Sequence, residues 1–298
     1  MNGVSAVVPN RDGGKLLERC LDALQASPSV TEVIVVDDGS TDESPRRAGE
    51  RGGVQVLRSP GRGFAAAVNS GVAAARGELV LILNSDAFVR SDTVERLAAT
   101  LAERPRLALC AAGLVREDGA RAKSHDRLLT LGCALRESLA LHSTWVVETP
   151  GVQPARYIPL ACVLARRAAW DEVGGLDERY QFYFEDHDLC WRLADAGWEI
   201  AVRWDAEAIH VEGGSSQAKE APQQWFRQYH ESRIRYLRKR YPHSWPVYMV
   251  LWIPNALAHA GLWHARAAVS RARGDREGAA SGRAWAAAYI RAAGLDLD

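Results

Sequence analysis

The sequence predicts an α/β protein: a doubly wound, mostly parallel sheet, followed by a C-terminal helical appendage. Three features point there. Apolar, β-branched runs alternate with helical patterns from Val4 to Leu83. Two of those runs end in polar, acidic clusters, Asp37-Asp38-Gly39-Ser40 and Asn84-Ser85-Asp86. After Gly213-Gly214-Ser215-Ser216 the chain turns basic and aromatic. Open α/β sheets bind ligands beyond the carboxyl ends of their strands, so the two clusters sit where chemistry is expected.

Taken in order, Val4–Val8 reads as a strand stopped by Pro9-Asn10-Arg11-Asp12-Gly13-Gly14. Leu16, Leu17, Cys20, Leu21 and Leu24 recur at helical spacing. Glu32–Val36 is a buried strand, Ser44–Gly49 a helix and Val54–Leu57 a third strand. Gly61-Arg62-Gly63-Phe64 opens an Ala-rich helix through Asn69 to about Ala75. Leu79–Leu83, apolar throughout, reads as a strand buried on both faces. A helix over Thr93–Glu103 and a strand over Leu107–Ala112 follow. Residues 113–157 hold no sustained period, apart from a short helix near Leu128–Leu139. Leu160–Ala165 is strand-like, Ala168–Val173 helical, Asp188–Ala196 a second helix, and Trp198–Val202 and Ala208–Val211 two separate strands. Gln223–Tyr241 is a basic, aromatic helix.

Composition excludes several classes. With 37 Lys+Arg against 37 Asp+Glu there is no global charge to recruit nucleic acid. Five scattered cysteines without a CxxC pair argue against zinc or a disulfide framework and fit a reducing cytoplasm. The first residues lack the basic flank and apolar core of a signal peptide. Trp245–Val269 is strongly apolar and long enough to span a bilayer, but Pro254, Asn255, His259, His264 and Arg266 interrupt it. Two readings stay open: an interfacial segment giving peripheral membrane contact through residues 223–269, or a helical hairpin packed on the preceding domain.

Asn84-Ser85-Asp86 offers hard oxygen ligands of the kind that hold Mg²⁺ or Mn²⁺ against phosphate, although Asp after a strand also serves as a turn or cap residue. Asp37 and Asp38 can accept hydrogen bonds from a base or ribose, or simply build a turn, a role open to Asp42 as well. Gly61-Arg62-Gly63 before a helix can present N–H groups and a guanidinium to a diphosphate. No GxGxxG follows the first strand, which counts against an NAD enzyme. In Gly174-Gly175-Leu176-Asp177-Glu178-Arg179-Tyr180-Gln181-Phe182-Tyr183-Phe184-Glu185-Asp186-His187-Asp188, carboxylates follow an aromatic wall. Partial desolvation there raises a carboxylate pKa and suits a general base; an acidic first turn favoured by the helix dipole is the plainer reading. His210 ends a strand and can ligate a metal through a neutral ring nitrogen.

In combination, Val4-Ser5-Ala6-Val7-Val8-Pro9-Asn10, Val35-Val36-Asp37-Asp38-Gly39-Ser40-Thr41-Asp42, Gly63-Phe64-Ala65-Ala66-Ala67-Val68-Asn69, Leu83-Asn84-Ser85-Asp86, Gly174-Gly175-Leu176-Asp177, Phe184-Glu185-Asp186-His187-Asp188-Leu189 and Ala208-Ile209-His210 resemble, in this order, the family 2 inverting glycosyltransferases, and within them the rhamnosyltransferase-type branch. The resemblance covers about residues 3–240. It implies a GT-A fold over residues 1–217, with a nucleotide-sugar half (about 1–112) and an acceptor half (about 113–217), before a helical segment at 218–298. It further implies that Pro9, Arg11, Asp37, Asp38, Arg62, Gly63, Asn69, Asn84 and Ser85 serve the nucleotide-sugar. Asp86 and His210 would hold Mg²⁺ or Mn²⁺, Asp186 would be the general base with Glu185 beside it, and Phe184 and Glu185 would shape the acceptor pocket. The implied partners are a nucleotide-diphospho-sugar donor and a saccharide or lipid-linked acceptor, in the cytoplasm or on the inner face of the plasma membrane, with a homodimer left open. Asn84 stands for the first Asp of the family's Asp-x-Asp, and Arg11 where an aromatic often stacks on the base. Leu160-Ala161-Cys162 lacks the Gly often found in the acceptor-side strand. A sugar nucleotidyltransferase and a non-catalytic sugar- or lipid-binding module are the alternatives.

Overall fold

A computed structural model describes residues 3–59, 61–122, 128–138, 151–180, 182–211 and 222–294. Gln181 and the Gly213–Ser216 boundary lie outside these. The chain divides into two compact units, Met1–Leu128 with Trp145–Lys219, and Leu129–Thr144 with Glu220–Asp298.

The first unit is built on a nine-stranded sheet, ordered β3-β2-β1-β4-β8-β6-β9-β5 with β7 also on β9. Its N-terminal block comprises β1 (Val4–Asn10), β2 (Val30–Asp37), β3 (Val54–Arg58) and β4 (Leu79–Leu83), all parallel. β8 (Cys162–Arg166) enters antiparallel to both β4 and β6 (Leu107–Val115), and β6 runs parallel to β9 (Glu199–His210). β5 (Ala87–Val89) and β7 (Val152–Pro154) are short antiparallel additions to β9. Six of the nine strands therefore share one direction, and the fold class is the expected one.

The continuous apolar runs are explained by two layers of core. Alternate residues of a strand point to opposite faces. Val35, Leu81 and Leu83 join Leu17, Cys20, Leu21 and Leu24 of α1 (Gly14–Gln25) and Leu97 and Leu101 of α4 (Thr93–Glu103). Ile34, Val36 and Ile82 face Val68 and Val72 of α3 (Phe64–Ala74), with Leu189 and Leu193 of α7 (Glu185–Asp195) on the same layer. The remaining helices of this unit are α2 (Ser44–Gly49) and α6 (Arg167–Glu172).

Several elements differ from expectation. The two predicted strands after Trp198 are one, because Trp204–Ala206 bulge out where the β6 register jumps from Arg203 to Glu207. A bulge keeps pairing on both sides while inserting residues that break the sequence pattern. α7 begins at Glu185, three residues before Asp188, so both carboxylates are helical. β5 and β7 were not expected, being only three residues long.

The second unit is helical, with α5 (Leu131–Ser138), α8 (Pro222–Arg240), α9 (Trp245–Ala272) and α10 (Arg276–Ala292). Trp252 Nε1 donates to the Ala292 carbonyl (2.9 Å), and Trp263 stacks on Trp285. His230 stacks on Trp252; burial, with Arg233 nearby, pushes its pKa down to about 3, so the ring is neutral. α9 continues through Pro254, and no helix among the described residues is long and apolar enough to cross a membrane.

Gly71 in α3 marks the closest helix–sheet approach of that layer. A Cβ there would lie 2.3 Å from Val7 Cγ1 and 2.9 Å from Val36 Cγ2. Gly→Ala gains at most about 1 kcal/mol of helix propensity, whereas overpacking a buried contact costs roughly 1–3 kcal/mol. Gly71→Ala is therefore expected to lower the thermal midpoint measured by circular dichroism; a raised midpoint would refute this close approach.

Candidate active site

The parallel strands β2, β1 and β4 end on one edge, and three polar loops meet there. Asn10 pairs with Asp37, and the Asp38 N–H donates to the Asn10 carbonyl (2.9 Å). Asn10 Nδ2 donates to Ser40 and Ser44 Oγ (3.1 and 3.0 Å). Asp12 adopts φ +53°, a left-handed conformation that Asp tolerates better than most residues. Its Oδ1 accepts from Thr41 N (2.6 Å), Thr41 Oγ1 (3.1 Å) and Asp42 N (3.1 Å), which interlocks the first two loops. Asp42 accepts from Ser44 N (3.0 Å), the turn role open to it from sequence.

The predicted pair divides. Asp37 Oδ1 accepts from Ser40 N (3.1 Å) and builds the turn. Asp38, equally buried, keeps Oδ1 without a hydrogen-bond partner among the described residues. Pro9 is buried at the end of β1, while Arg11 is exposed. Gly13 lies flat over Asn10 and Ser85: a Cβ would sit 2.3 Å from Asn10 Oδ1 and 3.4 Å from Ser85 Oγ.

β4 delivers Asn84, Ser85 and Asp86 to the same edge. The Asn84 N–H donates to the Ala161 carbonyl (2.9 Å), and Ala87 N–H turns back to Asn84 (3.0 Å). β5 then pairs Ala87 with His210, and Val211 N–H donates to the Asp86 carbonyl (3.0 Å). That pairing brings His210 Nε2 to 3.4 Å from Asp86 Oδ1, across 124 positions of sequence. The distance is long for a hydrogen bond. Asp86 Oδ1 and Asn84 Oδ1 are both buried without a hydrogen-bond partner among the described residues. Unpartnered buried oxygens call for an explanation, and a cation is one. The donors, a carboxylate, an amide oxygen and an imidazole, fit Mg²⁺ or Mn²⁺, with Mn²⁺ the more tolerant of nitrogen. They are too few to make a cage: no group of three or more His, Cys, Asp or Glu converges among the described residues. Ligands from a bound phosphate would have to complete the set.

The second cluster lies on α7 and the segment before it. Tyr183 and Phe184 both have positive φ (66° and 68°). Such strain costs of order 1–2 kcal/mol per non-glycine residue and is often found at functional sites. It turns Phe184 inward and starts α7 with Glu185, buried, and Asp186, half-buried. Asp186 Oδ2 accepts from Tyr157 Oη (2.8 Å) and Oδ1 from His187 N (2.7 Å). Tyr157 stacks on His187 at 3.7 Å, and His187 on Phe184 at 5.1 Å. Desolvation pushes the Asp186 carboxyl up to about 6 despite those two donors. Glu185 is raised well above its ordinary value, by burial first and the adjacent Asp186 second. Burial thus works against a charge on Glu185, while two hydrogen-bond donors favour the charge on Asp186. Tyr157 was missed by sequence reasoning, because it ends a stretch without helical or strand period.

Three contacts tie α3 to the turn before α7. Arg62 pairs with Glu178 (3.0 Å), and Phe64 meets Phe182 edge to face at 6.3 Å. Asn69 Nδ2 donates to the Leu176 carbonyl (2.8 Å) and Glu178 (3.1 Å), while Leu176 N–H donates to Asn69 Oδ1 (2.9 Å). Asn69, expected among the nucleotide-sugar contacts, has its amide engaged by this turn. Gly63 at φ +95° precedes the first turn of α3.

Residues 5–156 match the family described as Glycosyl transferase family 2. The chain is 35% identical over 201 residues to a pre-mycofactocin glycosyltransferase of Mycobacterium tuberculosis; this covers 65% of the chain but 39% of that relative, so the chain spans well under half its length. It is 27% identical over 285 residues to an N-acetylglucosaminyl-diphospho-decaprenol L-rhamnosyltransferase of the same organism, covering 87% of the chain and 92% of the relative. A mannosyltransferase from Pyrobaculum calidifontis, solved with GDP-Man and Mn²⁺, superposes with a TM-score of 0.58 at 21% identity, over 99% of this chain and 87% of that one. The fold is GT-A.

Tyr157→Phe removes a donor that favours the ionised form of Asp186. Its pKa is expected to rise above about 6, as read by ¹³C-carboxyl NMR titration; an unchanged or lower value would show that the Tyr157 bond does not act on that carboxylate.

Proposed function

Because the chain belongs to the family 2 glycosyltransferases, we propose that it transfers a sugar, with rhamnose the leading candidate, from a nucleotide-diphospho-sugar to a hydroxyl of a saccharide or lipid-linked acceptor, with inversion. The observation that carries this is the geometry at the start of α7: the Asp186 carboxylate, its pKa raised to about 6, is held by Tyr157 Oη (2.8 Å) and His187 N–H (2.7 Å) beside buried Glu185. A base poised near the working pH is what proton removal from a hydroxyl requires. The long match to a rhamnosyltransferase supports the sugar, and its name, containing diphospho-decaprenol, supports a lipid-linked acceptor.

In this reading Asp38 accepts from the nucleoside through its unpartnered Oδ1, between Pro9 and Arg11. Asp37 holds the turn that presents it. Arg62 and the N–H groups following Gly63 face the diphosphate. Asn84, Ser85, Asp86 and His210 would hold a divalent cation together with that diphosphate. A cation bound there supplies Lewis-acid stabilisation of the charge on the leaving nucleoside diphosphate. Asp186 takes the acceptor proton as the hydroxyl oxygen attacks the anomeric carbon from the face opposite the departing diphosphate, in one displacement. Tyr157 keeps the Asp186 carboxylate oriented, and Phe184 and Glu185 wall the acceptor side.

Asp186→Asn is expected to lower kcat by about 10²–10⁴-fold with the Kd for donor nucleotide unchanged, measured by nucleoside diphosphate release and by calorimetry. Turnover near the parent rate would remove Asp186 from the role. Asp86→Ala is expected to abolish the Mn²⁺-dependent gain in nucleoside diphosphate affinity, about tenfold or more. A gain that survives the substitution would move the cation elsewhere.

A further inference from the structure

α9 is apolar on both faces. Tyr248, Trp252, Ala256 and Ala260 recur every four residues and are buried. On the opposite side, Val247, Val250, Leu251, Leu257, Leu262 and Val269 are exposed, Val250 and Leu262 by 69% and 68%. The stripe runs for roughly 33 Å at 1.5 Å per residue, with His264 and Arg266 the exposed polar side chains near its C-terminal end. An exposed apolar stripe of that length in a folded chain marks a docking face.

Charge decides the occupant. Residues 232–274 hold eight Lys and Arg and no Asp or Glu, in a chain whose charges cancel overall. The cations sit at both ends of α9: Arg238, Lys239 and Arg240 close α8 just before it, and Arg266, Arg271 and Arg273 lie on or just after its last turns. At each end a guanidinium covers an indole, Arg238 over Trp245 (5.0 Å) and Arg266 over Trp263 (5.2 Å). A second copy packed antiparallel on the stripe would set cationic end against cationic end, with no carboxylate in the segment to offset the repulsion. An anionic bilayer offers the complementary charge, an apolar layer for the stripe and an interface suited to Trp. α9 cannot cross it, since its other face is taken by rings of α8 and α10 and no described helix is apolar enough.

We propose that the exposed face of α9 lies in the plane of an anionic lipid bilayer, with Val250 and Leu262 among the acyl chains and the flanking arginines on lipid phosphates. This inference does not rest on the transfer reading; transfer to a water-soluble acceptor tests that separately. The experiment is flotation of the full-length protein with vesicles of phosphatidylcholine alone or with about 30% phosphatidylglycerol. The protein is expected to float with the anionic vesicles and several-fold less with the neutral ones. Val250→Asp/Leu262→Asp, both on exposed positions, is expected to weaken flotation about tenfold or more without moving the thermal midpoint. Arg271→Glu/Arg273→Glu is expected to erase the preference for anionic vesicles. Sedimentation with both vesicle types, or flotation unaffected by the Val250/Leu262 pair, would overturn the proposal. So would a dimer in light scattering that this pair disrupts while no vesicle binding occurs.

Discussion

The arrangement around the candidate base hangs on one guanidinium. Arg192 pairs with the fully buried Asp188 (2.7 Å), one turn up α7, and its other nitrogens donate to the Val173 and Gly175 carbonyls (2.5 and 2.6 Å). Removing one partner of a buried pair costs roughly 3–5 kcal/mol, because the other is left charged and alone. The turn that Arg192 holds from α7 is the turn Asn69 holds from α3. Gly175 has φ +68°, and a Cβ there would meet Asn69 Oδ1 at 2.7 Å and Trp170 Nε1 at 2.8 Å. The N-terminus of α3 and the N-terminus of α7 are thus referred to one rigid turn within the first unit.

Much of this was legible. Strand ends were readable because apolar runs stop abruptly at Asp37 and Asn84, and helix faces because Leu17, Cys20, Leu21 and Leu24 repeat at helical spacing. What was illegible shares a cause: long-range pairing of short pieces. Three residues of β5 give no period, yet they put His210 beside Asp86. The bulge at Trp204–Ala206 broke one strand into two apparent ones. The start of α7 was hidden because Phe184 is not a capping residue by type. A left-handed, buried Phe is not readable from residue type. Asn69 was located but its engagement was not, since its partners, the Leu176 backbone and the Glu178 carboxylate, lie over a hundred residues away.

The carboxylate pair also has a thermodynamic side. Burial raises the Glu185 pKa well above its ordinary 4.5, so the folded state keeps this proton to higher pH than the unfolded chain does. Unfolding is therefore favoured more at neutral pH than below pH 4.5. The first turn of α7 lowers stability at the pH where the proposed chemistry operates, as expected when a site is kept poised rather than relaxed.

The left-handed residues before α7 bear on how the acceptor side can be remodelled. At half-buried Tyr183, replacing the ring by glycine would release about 1–2 kcal/mol of backbone strain and give up its edge-to-face contact with Phe182 (4.5 Å). An aromatic pair is worth about 0.5–1.5 kcal/mol beyond its buried area, so the two effects are of similar size. At Phe184, 3% exposed, a cavity would cost roughly 3–5 kcal/mol and outweigh the same release. Of two adjacent residues with nearly identical backbone geometry, the more exposed one can change at less cost in stability, and under the proposed transfer it is where the acceptor side would vary.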